Sequence, residues 1–174
     1  MAAQVVTGNI NIGANFAQVD STGLVQPITA AANAALNVAL SNATGATQAI
    51  DTLYGAQLTL AGAATHINLH AAVDILGNSV VFARVRFWWV YVVTLTAGYI
   101  VNVYTRSGTN PVTWLPTATS SALWAPPGGV VMGIDPYSTT TNGYVVGSGA
   151  NDFTLDPGAN TVVCNVIIAG NSGA

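Results

Sequence analysis

The chain has 174 residues, of which 51% are hydrophobic and only 5% charged, and its formal net charge is −3. It contains no Lys and no Glu, and its three Arg form no basic cluster of the kind that nucleic-acid binding requires. The longest apolar run, residues 87–93, is far shorter than the ~20 residues of a membrane-spanning helix, and residues 1–4 do not resemble a signal peptide.

The first 42 residues fit more than one structure. Residues 1–27 alternate weakly between polar and apolar types, with glycines as turns, which indicates either an extended arm toward a neighbouring subunit or edge strands. Residues 28–42 are rich in Ala, the best helix former, and Ile28 and Leu36 fall at helical spacing. Leu36, Val38 and Leu40 also alternate with other residues, so we favour a strand over residues 35–40.

The middle of the chain carries the strongest strand pattern. Residues 56–61 and 65–71 alternate, and residues 80–95 form a long run of β-branched and aromatic residues. In that run the face of Val85, Phe87 and Trp89 is wholly apolar, and we expect it to be the buried one. Its length predicts a bend or bulge near Trp88 and Trp89.

The remaining segments read as short strands between turns. Residues 99–104 predict a strand that forms a hairpin with the long run, and residues 106–129 predict loops. Further strands are expected at residues 129–134, 144–146, 153–155 and 161–169. The last is nearly all apolar, as in a strand covered on both sides.

About ten short strands at close spacing predict an all-β, single-domain antiparallel β-sandwich, jelly-roll-like, with an extended N-terminal arm. The expected organisation is an arm or edge strands over residues 1–27, the sandwich over residues 28–170 and a flexible tail over residues 171–174.

The residues that carry chemistry are few. His66 and His70 share one strand face with Asn68, but a stable metal site needs a third or fourth ligand, and Asp74 is the only carboxylate nearby. The loop residues Asp135, Asp152 and Asp156 lack the spaced pattern of a calcium loop and suit turns and caps. Cys164, the only cysteine, suits a small buried hydrophobe.

No pattern of catalytic residues is present, so we predict a non-enzymatic protein without metal or cofactor. A nucleophile elbow and a phosphate-binding loop with Lys are both missing, and six scattered Asp are a poor basis for glycoside hydrolysis.

Aromatic and basic residues are the candidates for interface contacts. Trp88 belongs to the long strand and suits the core or a subunit contact, whereas Trp114, Trp124 and Tyr137 lie in loops and suit loop packing, a partner contact or sugar stacking. Arg84 and Arg86 share a strand face, and we expect an inward or interfacial ion pair with Asp residues.

The scarcity of charge itself favours assembly. A free monomer normally stays in solution through mixed surface charge, and this chain offers Ala, Gly, Ser, Thr and Asn instead. We therefore expect much of the surface to be covered by other subunits, with a low-charge secreted or acid-tolerant β-protein as the alternative.

Several segments follow one another in a familiar order. They are residues 45–51, 58–61, 67–69 and 81–85, a Pro-Gly-Gly entry to a strand at residues 127–130, residues 135–149 and the apolar residues 162–170. This order resembles that of small virion structural proteins of tailed bacteriophages. The resemblance covers about residues 35–170, departs in residues 113–125 and does not reach residues 1–34, which leaves the position in the virion open.

The resemblance implies a non-enzymatic β-sandwich in a phage particle, made in the bacterial host cytoplasm. We expect a capsid decoration or cement protein that contacts the major capsid protein and its own copies, as a trimer, and that binds neither nucleic acid nor membrane. The alternatives are a tail or fibre component that binds host glycans and, from another class, a free carbohydrate-binding module.

Overall fold

The computed structural model describes residues 8–20, 28–42, 49–73, 77, 79–106, 110–117, 119–135 and 144–172. Apart from one 3-10 turn, η1 (Thr119–Ser121), every element of this part is a β-strand, and none of its helices is long and apolar enough to cross a bilayer. The strands are β1 (Gly8–Asp20), β2 (Ile28–Asn42), β3 (Ala49–Ile50), β4 (Thr52–Ala61), β5 (Thr65–Asn68), β6 (Ala72–Val73), β7 (Ser79–Val80), β8 (Arg84–Val92), β9 (Val101–Tyr104), β10 (Leu123–Ala125), β11 (Val130–Ile134), β12 (Asp152–Asp156) and β13 (Thr161–Asn171).

Eight of these strands form two four-stranded antiparallel sheets. Sheet I has the order β11-β8-β13-β4, and sheet II has the order β10-β9-β12-β5. The predicted all-β class is confirmed, and the two sheets are consistent with the predicted sandwich.

The core lies between the two sheets. Trp88 of sheet I meets Phe153 of sheet II edge to face, with ring centroids 5.5 Å apart. Aliphatic side chains from both sheets surround this contact, and each contributes roughly 1.5–3 kcal/mol on full burial. They include Leu60, Val90, Val92, Val166 and Ile168 from sheet I and Ile67, Val101, Val103 and Leu155 from sheet II.

Strand β8 is nine residues long, and its irregularity lies earlier than predicted. Ala169 of β13 pairs with Phe87, but the next residue, Gly170, pairs with Val85, so Arg86 is the extra residue of a bulge. A Cβ at Gly170 would overlap the Arg84 carbonyl oxygen, so only glycine allows this close approach of the two backbones.

The predicted hairpin between the long strand and residues 99–104 is wrong. Strand β9 belongs to sheet II, where it pairs with β10 and β12. Both edges of β8 are already occupied, by β11 and β13, so β9 has no free edge beside it. The connection turns at Gly98, which has a φ of 80°, and crosses to the other sheet.

The first two strands form a long hairpin, called here the N-terminal hairpin (β1 and β2). Their register is unbroken over 13 residue pairs. The ambiguous residues 28–42 are therefore a strand, because a cross-strand partner overrides the helix propensity of alanine. Within the described residues the hairpin's only other neighbour in a sheet is β3, which pairs with the end of β2.

Two further expectations need correction. Residues 144–146 form no strand and contribute only a single bridge, between Val145 and Arg84. Strand β13 extends beyond the predicted start of the tail, with Asn171 fully buried. After it, Ser172 donates two hydrogen bonds of 2.7 Å, from its amide and its hydroxyl, to the Asp51 carboxylate.

Candidate interaction surface

Val85 is buried as predicted, but after the bulge at Arg86 the two faces of β8 are reversed relative to the prediction. Trp88, Val90 and Val92 point inward and are buried, whereas Trp89 and Tyr91, on the face expected to be buried, are only partly covered. Both faces of this strand carry large apolar side chains, so alternation alone does not decide between them. Packing decides, because sheet II lies on the Trp88 side.

The face that points away from sheet II is partly exposed in the part of the chain that the structure describes, and we call it the outer face of sheet I. Strand register places its residues in three rows that cross all four strands. The rows are Ile134, Phe87, Ala169 and Leu53; Met132, Trp89, Ile167 and Gly55; and Val130, Tyr91, Asn165 and Gln57.

The outer face is apolar and carries no charge. None of its residues is ionised at neutral pH, and its most exposed apolar members include Leu53, Val130, Met132 and Ile167. Trp89 and Tyr91 stack at its centre with ring centroids 5.6 Å apart. Apolar surface of this kind on a soluble protein marks a contact site. The expectation that β13 is covered on both sides is wrong, because Ile167, on the outer face of this strand, is 38% exposed.

Trp88, a predicted interface residue, lies in the core. It is 1% exposed and packs on Phe153. A second chain cannot contact a side chain this deeply buried. Of the two roles predicted for Trp88, core residue or subunit contact, the structure supports the core.

Arg84 and Arg86 are also buried, at the end of the sandwich where β8 bulges. Burial lowers the pKa of Arg86, the like charge of Arg84 lowers it further, and the carboxylate of Asp135 partly offsets both effects. Their burial agrees with the inward alternative of the prediction, and the ion pair with Asp residues stays a prediction.

The loop aromatics separate into two groups. Trp114 stacks on Tyr144 at 4.7 Å and donates its indole N–H to the Val145 carbonyl, so it holds a loop against the sandwich. Trp124 of β10 is 59% exposed beside the exposed Leu123, and both belong to sheet II. Tyr137 lies outside the described residues.

A polar cluster joins the neighbouring strands β5 and β12. His66 and Thr154 are directly paired, and His66 Nδ1 lies 2.8 Å from Thr154 Oγ1 and 3.3 Å from Asp152 Oδ1. Thr154 donates its hydroxyl proton to Asp152 Oδ2, which also accepts the Arg106 amide. Since the Thr154 proton goes to Asp152, the hydroxyl accepts from His66, whose Nδ1 therefore carries the proton.

This cluster does not activate a nucleophile. A catalytic triad places the hydroxyl and the carboxylate at opposite ring nitrogens of the histidine, whereas here both lie at Nδ1. His66 and Asn68 border a cleft of about 280 Å³ that also touches Tyr54 and Val73. Within the described residues the arrangement is a hydrogen-bonded link between strands.

The other residues considered as metal ligands have structural roles. Strand β5 ends at Asn68, whose side chain accepts the His70 amide, so His70 lies in a turn and not on the strand face expected for it. In the described part of the chain no three His, Cys, Asp or Glu are placed to hold a metal. Asp156 accepts the Gly158 amide and caps its turn, as predicted.

Cys164 is fully buried between the sheets, and burial raises its pKa to about 11. The reactive thiolate is therefore disfavoured at neutral pH, and Cys164 fits the predicted role of a small apolar residue.

Sequence reasoning missed the outer face, although its signal was present. Phe87, Trp89 and Tyr91 were recognised as one apolar face, and β13 was recognised as apolar on both sides. An apolar run on two adjacent central strands is compatible with a second covering layer, and only the structure shows that Leu53, Val130, Met132 and Ile167 on this face stay exposed among the described residues. Comparison with known protein families, curated proteins and solved structures found no match for this chain.

Proposed function

We propose that the protein is a non-enzymatic structural subunit that assembles with copies of itself through the outer face of sheet I. The observation that carries the proposal is the uncharged apolar face centred on Trp89 and Ile167. Covering it removes apolar surface from water at roughly 25 cal/mol per Å². The low charge of the whole chain supports the same conclusion.

The particle that we propose is a bacteriophage virion, with the chain as a capsid decoration or cement protein. The resemblance of residues 35–170 to small virion structural proteins of tailed bacteriophages supports this part of the proposal. The chain would then contact the major capsid protein as well as its own copies, as a trimer, without metal or cofactor.

Light scattering after size-exclusion chromatography tests the assembly. We expect a stable oligomer for the unchanged chain, and the variant Ile167→Asp to be monomeric because it places a charge in the contact. Leu123→Asp is the matched control, since Leu123 is 39% exposed and Ile167 38%, but Leu123 lies on sheet II. A monomeric unchanged protein, or an Ile167→Asp variant that assembles normally, would contradict the proposal.

Location in the particle has its own test. Mass spectrometry of purified capsids and of purified tails should find this chain in the capsid fraction. Its presence in tails alone would replace the decoration role with a tail or fibre role.

One observation favours a second candidate function, glycan binding. Trp124 presents a 59% exposed indole next to Leu123, and an exposed aromatic ring is the surface on which sugars stack. If Trp124 binds a glycan, host-cell glycans should shift the tryptophan fluorescence of the unchanged chain but not that of Trp124→Ala. Equal responses of the two proteins would exclude Trp124 as the site.

A further inference from the structure

The register of the N-terminal hairpin separates the residues from Gly8 to Ala17 and their partners by chemical class, whereas Gln18 and Asp20, nearer the turn, share the face of Phe16. Alternate positions of paired strands share one face. All five asparagines of the paired stretch occupy positions on one face, and every Ile, Leu and Phe occupies a position on the other. The asparagine positions are Asn9, Asn11, Asn15, Asn33 and Asn37, and the apolar positions are Ile10, Ile12, Phe16, Ile28, Leu36 and Leu40.

Such a hairpin needs a partner for its apolar face. An isolated two-stranded hairpin is marginally stable at best in water, and β1 has no strand neighbour but β2 in the described part of the chain. The hairpin is linked to the sandwich at its base, where β2 pairs with β3 and the next amide, of Asp51, donates to the Gly170 carbonyl.

The same chain carries a surface of matching chemistry. The outer face of sheet I is largely apolar and has no charged residue, and the hairpin positions Ile10, Ile12, Ala14 and Phe16 with their cross-strand partners are apolar. Leu53, Met132 and Ile167 are partly exposed in the described structure, so the outer face offers apolar surface to a second copy.

We propose that the hairpin of one copy docks on the outer face of sheet I of a second copy, through the positions of Ile12 and Phe16. This inference rests on the proposed assembly and names the two surfaces that meet. Neither surface brings a charge into the contact, so no ion is buried without a partner.

The sizes of the two surfaces favour this exchange over direct stacking of two outer faces. Four strands ~4.8 Å apart and five residues long form a face of about 300 Å². A stable interface buries about 800 Å² on each partner, so the contact area of two stacked outer faces would be too small. In an exchange each copy both gives a hairpin and receives one, which doubles the contact for each subunit. The seven residues from Ile10 to Phe16 extend about 24 Å, enough to cross the four strands.

Cross-linking between differently tagged copies tests the exchange. Phe16→Cys in one copy and Ile167→Cys in the other are co-expressed, purified through both tags and exposed to a mild oxidant. We expect the mixed disulfide to form at least ten times more than with Asn15→Cys, the control on the opposite hairpin face. Ile12→Cys, which should also cross-link, serves as a second variant in case Phe16→Cys destabilises the hairpin. Cys164 is buried and stays protonated, so it does not compete.

The outcomes distinguish the two proposals. An oligomer in which Ile167→Cys copies cross-link chiefly to each other would overturn the exchange and leave the proposed function standing. An oligomer without mixed disulfides from either hairpin variant would overturn the exchange as well. A protein that is monomeric in light scattering would overturn both the exchange and the assembly on which it rests.

Discussion

Trp88 and Gly133 are directly paired on β8 and β11, and the Trp88 indole occupies the space that a side chain at position 133 would need. Gly133→Ala should therefore destabilise the fold by ~1–3 kcal/mol, the usual cost of overpacking a core. Urea unfolding checks this. Gly149→Ala is the control, since nothing lies within 4 Å of a Cβ there, and an equal midpoint for both variants would contradict the expectation.

Gly170→Ala should be more damaging than Gly133→Ala. The obstacle at position 170 is the backbone of Arg84, which cannot rotate away as an indole can. We expect a loss above about 3 kcal/mol or failure to fold, in the range of severe core defects. Circular dichroism and urea unfolding of the two variants side by side give the comparison, and a milder effect at position 170 would show that the bulge can relax.

Thr154→Val should lower stability although it keeps the size of the side chain. The variant leaves His66 Nδ1 without its nearest acceptor and removes one of the donors to the buried Asp152 carboxylate. An unmet buried polar group costs ~1–3 kcal/mol. Thr161→Val is the control on an exposed strand position. In thermal unfolding, the Tm of Thr154→Val should lie several degrees below that of Thr161→Val.

Stability should fall between about pH 9 and pH 11 because of Cys164. The unfolded thiol loses its proton near its ordinary pKa of 9.0, whereas burial holds the folded pKa at about 11. Between these values the unfolded chain binds fewer protons, so the free energy of unfolding decreases as the pH rises, by about 3 kcal/mol at most. Urea unfolding across this range should show a weaker decrease for Cys164→Ala, and parallel curves would refute the assignment.

Much of the fold follows from the sequence because the strands alternate clearly. The segments that became β4, β11, β12 and β13 were located within a few residues. The pairing of β9 was not predictable from its neighbourhood, since a short connection after β8 suggests a hairpin. Only the occupation of both β8 edges by β11 and β13, which lie later in the chain, sends β9 to the other sheet.

The candidate surface was less predictable than the fold. A period of two assigns Trp88 and Trp89 to opposite faces but does not say which face meets the second sheet. The bulge, which places Arg84 and Arg86 inside the end of the sandwich, is also not visible in the alternation of residue types. The segregation of asparagines is visible in each strand of the N-terminal hairpin as alternation, and the pairing register adds that the asparagine positions of both strands share one face.

Strand β13 lies between β8 and β4, yet both of these strands leave the ribosome before it. Until β13 arrives, the two halves of sheet I have no shared hydrogen bonds, and the middle of the outer face, supplied by Ile167 and Ala169, does not exist. In the proposed assembly, nascent chains on one messenger would therefore lack the complete outer face until the last strand has been made.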